Sequence, residues 1–191
     1  MIHPEDHVYI DRIKNGDPSS YSSLVDRYKN MVYTIAVKIL TDPEDAQDAA
    51  QESFIKAYQQ LHSFQGKSKF STWLYTIVYR TAVSKLKENR ISTVSISEEL
   101  HDQYTLDHDA TGIDQLQVKQ QRKYVQQAIQ KLPKTEALLI TLYYINEIPT
   151  KEIQEITGLS LANIKIQLFR ARKKLERELR FLLEYEAKKI D

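Results

Sequence analysis

Apolar residues recur along this chain at three- and four-residue intervals, the period of amphipathic helices. Asp6–Lys14 reads as a first short helix, followed by the turn "NGDPSS" and a longer helix from about Tyr21 to Leu40. Asp42 before Pro43 is an N-cap followed by proline at the first helical position. From there a helix is expected to about His62, with Ala46, Ala49, Ala50, Phe54, Ala57 and Leu61 at helical spacing. "SFQGKSK" reads as a loop, and Ser71 as the cap of a helix from Thr72 to about Asn89. Periodicity fades over 91–117, where Ser, Thr and Asp are frequent and Glu98, Glu99, Asp102, Asp107, Asp109 and Asp114 face no Lys or Arg. That stretch reads as a flexible acidic linker. Helical spacing resumes over Val118–Lys131, from Pro133 to Asn146, over Thr150–Thr157 and over Ser160–Lys188. The pattern predicts an all-α chain of two small helical domains, 1–90 and 118–191.

The last helix carries the strongest chemical signal. On a wheel of 100° per residue, Leu161, Ile164, Leu168, Ala171, Leu175 and Leu179 share one face. Ala162, Asn163, Ile166, Arg170, Lys173, Lys174 and Arg177 lie opposite, with Lys165 and Arg172 at the boundary. From Leu161 to Arg180 there are seven basic residues and two acidic ones. A charged run like this usually means a solvated helix face. The segment before it, "PTKEIQEITGLS", changes that reading. It predicts a short helix with Ile153 and Ile156 inward, a left-handed turn at Gly158 and a second helix capped by Ser160. This is the pattern of a helix-turn-helix, whose second helix enters the major groove. Asn163 and Lys165 are then placed for base edges, and Ala162 or Ile166 for a thymine methyl. Arg170, Arg172, Lys173, Lys174 and Arg177 are placed for phosphates.

Composition removes other classes. Lys plus Arg number 27 and Asp plus Glu 26, so net charge alone points to no partner. With no cysteine, disulfides, thiolate metal sites and cysteine nucleophiles are excluded. The five histidines show no metal-ligand spacing, His101 and His108 lie among linker carboxylates, and no nucleophile-elbow, Walker or dinucleotide motif occurs. Neither an apolar signal segment nor an apolar run of about 18 residues is present. A cytoplasmic, non-enzymatic chain without cofactor or metal is expected.

"LPKTEALLITLYYINEIPTKEIQEITGLSLANIKIQLFRARKKLEREL" resembles region 4 of the extracytoplasmic-function (group IV, sigma-70 family) sigma factors of bacterial RNA polymerase. "DPEDAQDAAQESFIKAYQQLHSFQGKSKFSTWLYTIVYRTAVSKLKE" resembles their region 2, and the two blocks stand in family order. The resemblance implies that the first domain docks on the β′ clamp helices of core polymerase and opens the −10 element. It implies that the second sits on the β flap and reads the −35 duplex, and that an anti-sigma factor restrains the chain. Asp45, Asp48, Gln51 and Glu52 match the acidic docking motif, and the helix dipole accounts independently for acids in the first turn only. Segment 64–90 sets Lys67, Lys69, Arg80, Lys85, Lys87 and Arg90 against Glu88 alone, with Phe64, Phe70, Trp73, Tyr75 and Tyr79 interleaved. Cations track phosphates and aromatic faces hold unstacked bases, so Lys67, Lys69, Tyr75, Tyr79, Arg80 and Lys87 are the expected −10 contacts. Trp73, Leu74 and Ile77 are expected in the core. The −35 set is Asn163, Lys165, Gln167, Arg170, Arg172, Lys173 and Lys174.

The chain departs from the family pattern at Gln47, Arg80, Ser84, Gln154 and Gln167. Arg80 and Ser84 bear on the preferred −10 sequence, and Gln154 is expected to point outward from the helix crossing. Two other readings remain open on residues alone: an autonomous helix-turn-helix regulator with a helical sensing domain, and a protein-binding adaptor. Neither requires the basic–aromatic block.

Overall fold

The computed structural model describes residues 6–40, 42–92 and 114–190, with side chains over 6–40, 42–89 and 122–181. The flexible linker expected over 91–117 falls mostly outside these residues. Within them the chain is α-helical: α1 (Asp6–Lys14), α2 (Tyr21–Leu40), α3 (Pro43–Gln60), α4 (Phe70–Ser92), α5 (Asp114–Gln130), α6 (Lys134–Ile140), α7 (Thr150–Thr157) and α8 (Leu161–Ile190). α4 runs to Ser92 and α5 starts at Asp114, so helix reaches into both ends of the expected linker.

Helix α3 starts where its chemistry requires. Asp42 Oδ1 accepts hydrogen bonds from the N–H groups of Glu44 and Asp45, both at 2.9 Å, and Pro43 fills the first helical position. Ala46, Ala49 and Ala57 on its inner face are fully buried, and these small side chains let α3 pack closely on α2 and α4. Leu24, Val32, Ile35, Leu61, Leu74 and Val78 complete the core of this first lobe, each fully buried. Helix α1 is tied on by a buried polar knot, in which Arg27 and the Tyr28 hydroxyl donate to the Asp6 carboxylate at 2.6 and 2.5 Å. Burial and this acceptor push the Tyr28 phenol above its ordinary pKa.

Helix α4 begins at Phe70, two residues before the start expected behind a Ser71 cap. Its first helical hydrogen bond runs from Trp73 N to Lys69 O at 3.1 Å. The reason lies in packing: Phe70 is 4% exposed and is pinned within an aromatic cluster. Phe64, Phe70 and Trp73 stack with ring centroids 5.1–5.9 Å apart. Lys14 donates to the Phe64 carbonyl at 2.7 Å, fixing the other end of the loop.

In the second lobe α5, α6 and α7 each pack on α8. Helix α6 leads into one π-helical turn, Thr141–Ile145, closed by Asn146 N donating to Thr141 O at 3.0 Å. The lobes are not separate. Helix α4 packs on α7, α2 packs on α6, and the buried apolar cluster runs through both.

Candidate nucleic-acid interface

Helices α7 and α8 form the expected turn motif. Gly158 takes φ 73°, and its N–H donates to Gln154 O at 2.8 Å, closing α7. A residue with a Cβ pays a steric penalty in that left-handed region, so glycine belongs here. Ser160 stands at the start of α8, its Oγ 3.3 Å from Asn163 N and its carbonyl 2.9 Å from Ile164 N. Ile153, Ile156 and Ile164 are buried at the crossing, and Leu168 and Ala171 continue the seam. Gln154 is exposed, in line with the expected outward orientation.

The opposite side of α8 is open. Asn163, Lys165, Arg170, Arg172 and Lys173 are exposed, as are Ala162, Ile166 and Phe169. Gln167 is half-buried and donates from Nε2 to Asn163 Oδ1 at 2.9 Å, so these two amides form one unit. Lys174 is turned inward: it lies 2.8 Å from the Glu136 carboxylate of α6, which is itself buried. Phe169, absent from the sequence-derived set, lies half-exposed with the Lys173 ammonium 4.7 Å from its ring centre. An unpaired large apolar residue on a cationic face was the signal for it.

In the first lobe, Lys67, Arg80 and Lys87 are exposed cations on or before α4. Tyr79 is half-buried, whereas Tyr75 is 8% exposed and packed edge-on to Tyr28 at 6.1 Å. Burial raises the pKa of both phenols. Lys69 is held by Glu152 of α7 at 2.5 Å. Burial alone would raise the Glu152 pKa, but hydrogen bonds from Lys69 and Thr72 outweigh it and hold the carboxyl below its ordinary value. Of the cores expected from spacing, Leu74 is fully buried and Trp73 and Ile77 are packed against the core.

The acidic side of α3 carries Asp48, Gln51 and Glu52 outward, with Asp45 half-buried. Lys85 of α4 bridges Asp45 at 3.2 Å and Asp48 at 3.1 Å, and Asn89 donates to Asp45 at 2.6 Å. Burial alone would lower the Lys85 pKa, but its bonds to Asp48 and Asp45 raise it overall. Glu52 pairs with Lys56 at 2.7 Å, one helical turn on. Sequence spacing gave the acidic face but not its cationic partners from α4.

Comparison with known proteins fits this geometry. Residues 24–91 match the family profile Sigma-70 region 2, and residues 122–175 match Sigma-70, region 4. The chain is 30% identical over 190 residues to the ECF RNA polymerase sigma factor SigW of Bacillus subtilis, covering 91% of this chain and 96% of SigW. This chain is an extracytoplasmic-function sigma factor. Its function is that of the family, promoter-specific initiation of transcription. The sigma factor is also 29% identical over 189 residues to the RNA polymerase sigma-H factor of Pseudomonas aeruginosa, covering 96% of this chain and 98% of the relative. Its fold matches that of the sigma factor RpoE solved with the anti-sigma factor NepR from Bartonella quintana. There the TM-score is 0.66 at 18% identity, covering 84% of this chain and 96% of RpoE. CnrH, solved with the cytosolic domain of CnrY, gives a TM-score of 0.60 at 19% identity, covering 91% of this chain and 96% of CnrH. Among the described residues of the sigma factor, no helix is long and apolar enough to cross a membrane.

Proposed function

We propose that the sigma factor binds core RNA polymerase through the acidic side of α3, docking on the β′ clamp helices, while its second lobe sits on the β flap. Helix α8 then reads the −35 duplex, and the first lobe holds separated −10 strands through Lys67, Lys69, Arg80 and Lys87. Tyr79 is half-buried on the same helix, whereas Tyr75 is buried against Tyr28. The observation that carries this reading is the two-sidedness of α8. Ile164, Leu168 and Ala171 are sealed in the lobe, and Asn163, Lys165, Arg170 and Arg172 are exposed on the reverse. A helix that only filled the lobe would not need that constellation behind a glycine-closed turn. The chain supplies position and charge, and the polymerase supplies phosphoryl chemistry in the cytoplasm. An anti-sigma factor covering these surfaces is the expected restraint, as the complexes of RpoE with NepR and CnrH with CnrY suggest.

Net charge of +1 gives the free chain little non-specific attraction to DNA. Affinity should therefore emerge once core enzyme holds both lobes, an effective-concentration effect. Run-off transcription with purified core polymerase on a genomic promoter library tests this. Specific transcripts are expected only when chain and core are both present. Tight operator binding by the chain alone, without initiation, would replace this reading with an autonomous regulator. Arg170→Ala should weaken binding of holoenzyme to all its promoters and reduce the salt slope by about 1, as the loss of one phosphate contact does. An unchanged slope in filter binding removes that contact.

A further inference from the structure

The lobes meet across a seam in which one carboxylate from the helix-turn-helix fills a cationic pocket of the other lobe. Glu152 Oε1 lies 2.5 Å from Lys69 Nζ, and Glu152 Oε2 accepts a hydrogen bond from Thr72 Oγ1 at 2.7 Å. The two contacts join residues 83 and 80 positions apart. Thr72 is 2% exposed, and the Lys69 and Glu152 side chains keep 31% and 21% of their exposure. Beside them is a cavity of about 120 Å³ bordered by Tyr28, Tyr75, Asn146 and Ile148. Asn146 Oδ1 is buried there without a partner among the described residues. This polar pocket lies within a seam that also shares the buried apolar cluster of both lobes.

An ammonium and a hydroxyl converging on one anion, at the start of a 23-residue helix, also suit a nucleic-acid phosphate. The Glu152 carboxylate occupies the place such a phosphate would take. The closed arrangement also fails to fit a promoter. Elements named −10 and −35 lie about 25 base pairs apart, about 85 Å at ~3.4 Å per pair. Two touching lobes of this size have centres only about 30 Å apart. We propose that Lys69 and Thr72 form a phosphate-binding pair for the −10 strand, and that Glu152 occupies it in the free sigma factor as an internal phosphate mimic, holding the lobes shut. Parting the lobes on core polymerase exchanges one anion for another at Lys69 and uncovers Tyr75. This deepens the assignment of the first lobe to −10 DNA and rests on it. Thr72 joins the strand contacts, and Glu152 acts as the latch.

The sequence lacks cysteine, so dyes can be placed uniquely on Gln59→Cys in α3 and Lys123→Cys in α5, both exposed positions. Energy transfer in the free full-length chain then reports lobe separation, and a short oligothymidylate serves as the single-strand probe. Wild-type chain should show mainly high transfer, shifting to low transfer as the oligonucleotide is titrated. Glu152→Gln removes the charge with little change of shape. It should raise the open-to-closed ratio by about three- to tenfold, the range for losing one charge-assisted, partly exposed contact. Oligonucleotide affinity should rise by a similar factor, and adding Thr72→Ala to that variant should take back about threefold. Run-off transcription by the Glu152→Gln single variant at saturating core should stay within about twofold of wild type. Unchanged transfer in Glu152→Gln, with its melting curve intact, overturns the latch. Saturating oligonucleotide that leaves wild-type transfer high overturns the competition, and a Glu152→Gln/Thr72→Ala chain that binds as tightly as Glu152→Gln overturns the phosphate pair. Failure of the wild-type chain to support core-dependent transcripts would instead fault the function proposed above.

Discussion

Replacing Asp48 and Glu52 together by lysine is expected to weaken association with core RNA polymerase about 100-fold. Both side chains face solvent, with 71% and 50% of their area exposed. Each replacement removes an attraction to a basic partner and adds a repulsion, and like charges brought together at an interface cost several kcal/mol. Asp45 is the wrong position for this experiment, because it is half-buried and holds both Lys85 and Asn89 between α3 and α4, whereas Asp48 shares only Lys85 at an exposed edge. Its loss would blur docking with stability. Surface plasmon resonance of the chain on immobilised core measures the effect, and circular dichroism checks the fold. Undiminished affinity in a folded double variant moves the docking surface off α3.

The second large effect concerns folding of the DNA-reading lobe. Ile164 is completely buried where α7 crosses α8, so Ile164→Ala should cost about 3–4 kcal/mol through lost transfer energy and the cavity left behind. Amide exchange should show lost protection in α7 and α8 while α3 and α4 keep theirs. Holoenzyme should still form through the first lobe, and promoters that depend on their −35 element should fall silent. Equal loss of protection in α3 would mean that the two lobes unfold as one unit, joined by their shared apolar cluster.

Local chemistry made much of this fold readable. Helices α1, α2 and α7 end where the periodicity placed their ends, because a cap, a turn or a glycine stops each within a few residues. The start of α4 was misplaced because an aromatic cluster, visible only in three dimensions, outweighs the capping preference of Ser71. The same distinction divides the candidate sites. A helical wheel tells which face of α8 is buried, so Asn163, Lys165 and Arg170 could be assigned to the open side. It cannot tell that Glu136, 38 positions earlier, will draw Lys174 inward. Nor does spacing along α4 reveal that Tyr75 meets Tyr28, or that Lys85 meets two acids of α3. Glu152 stands in the first turn of α7, where an acid suits the helix dipole. Its main partners come from the other lobe, and nothing local encodes them.

The stacked rings of Phe64, Phe70 and Trp73 have a practical corollary. The protein possesses a single tryptophan, and it packs against Phe64 and Phe70, the two residues that flank the short loop from Gln65 to Lys69. Indole emission responds to the polarity and packing around the ring, so the molecule carries its own fluorescent gauge at that corner. Selective excitation would follow any shift of the loop in unlabelled, unmutated material, in real time, as partners are mixed in.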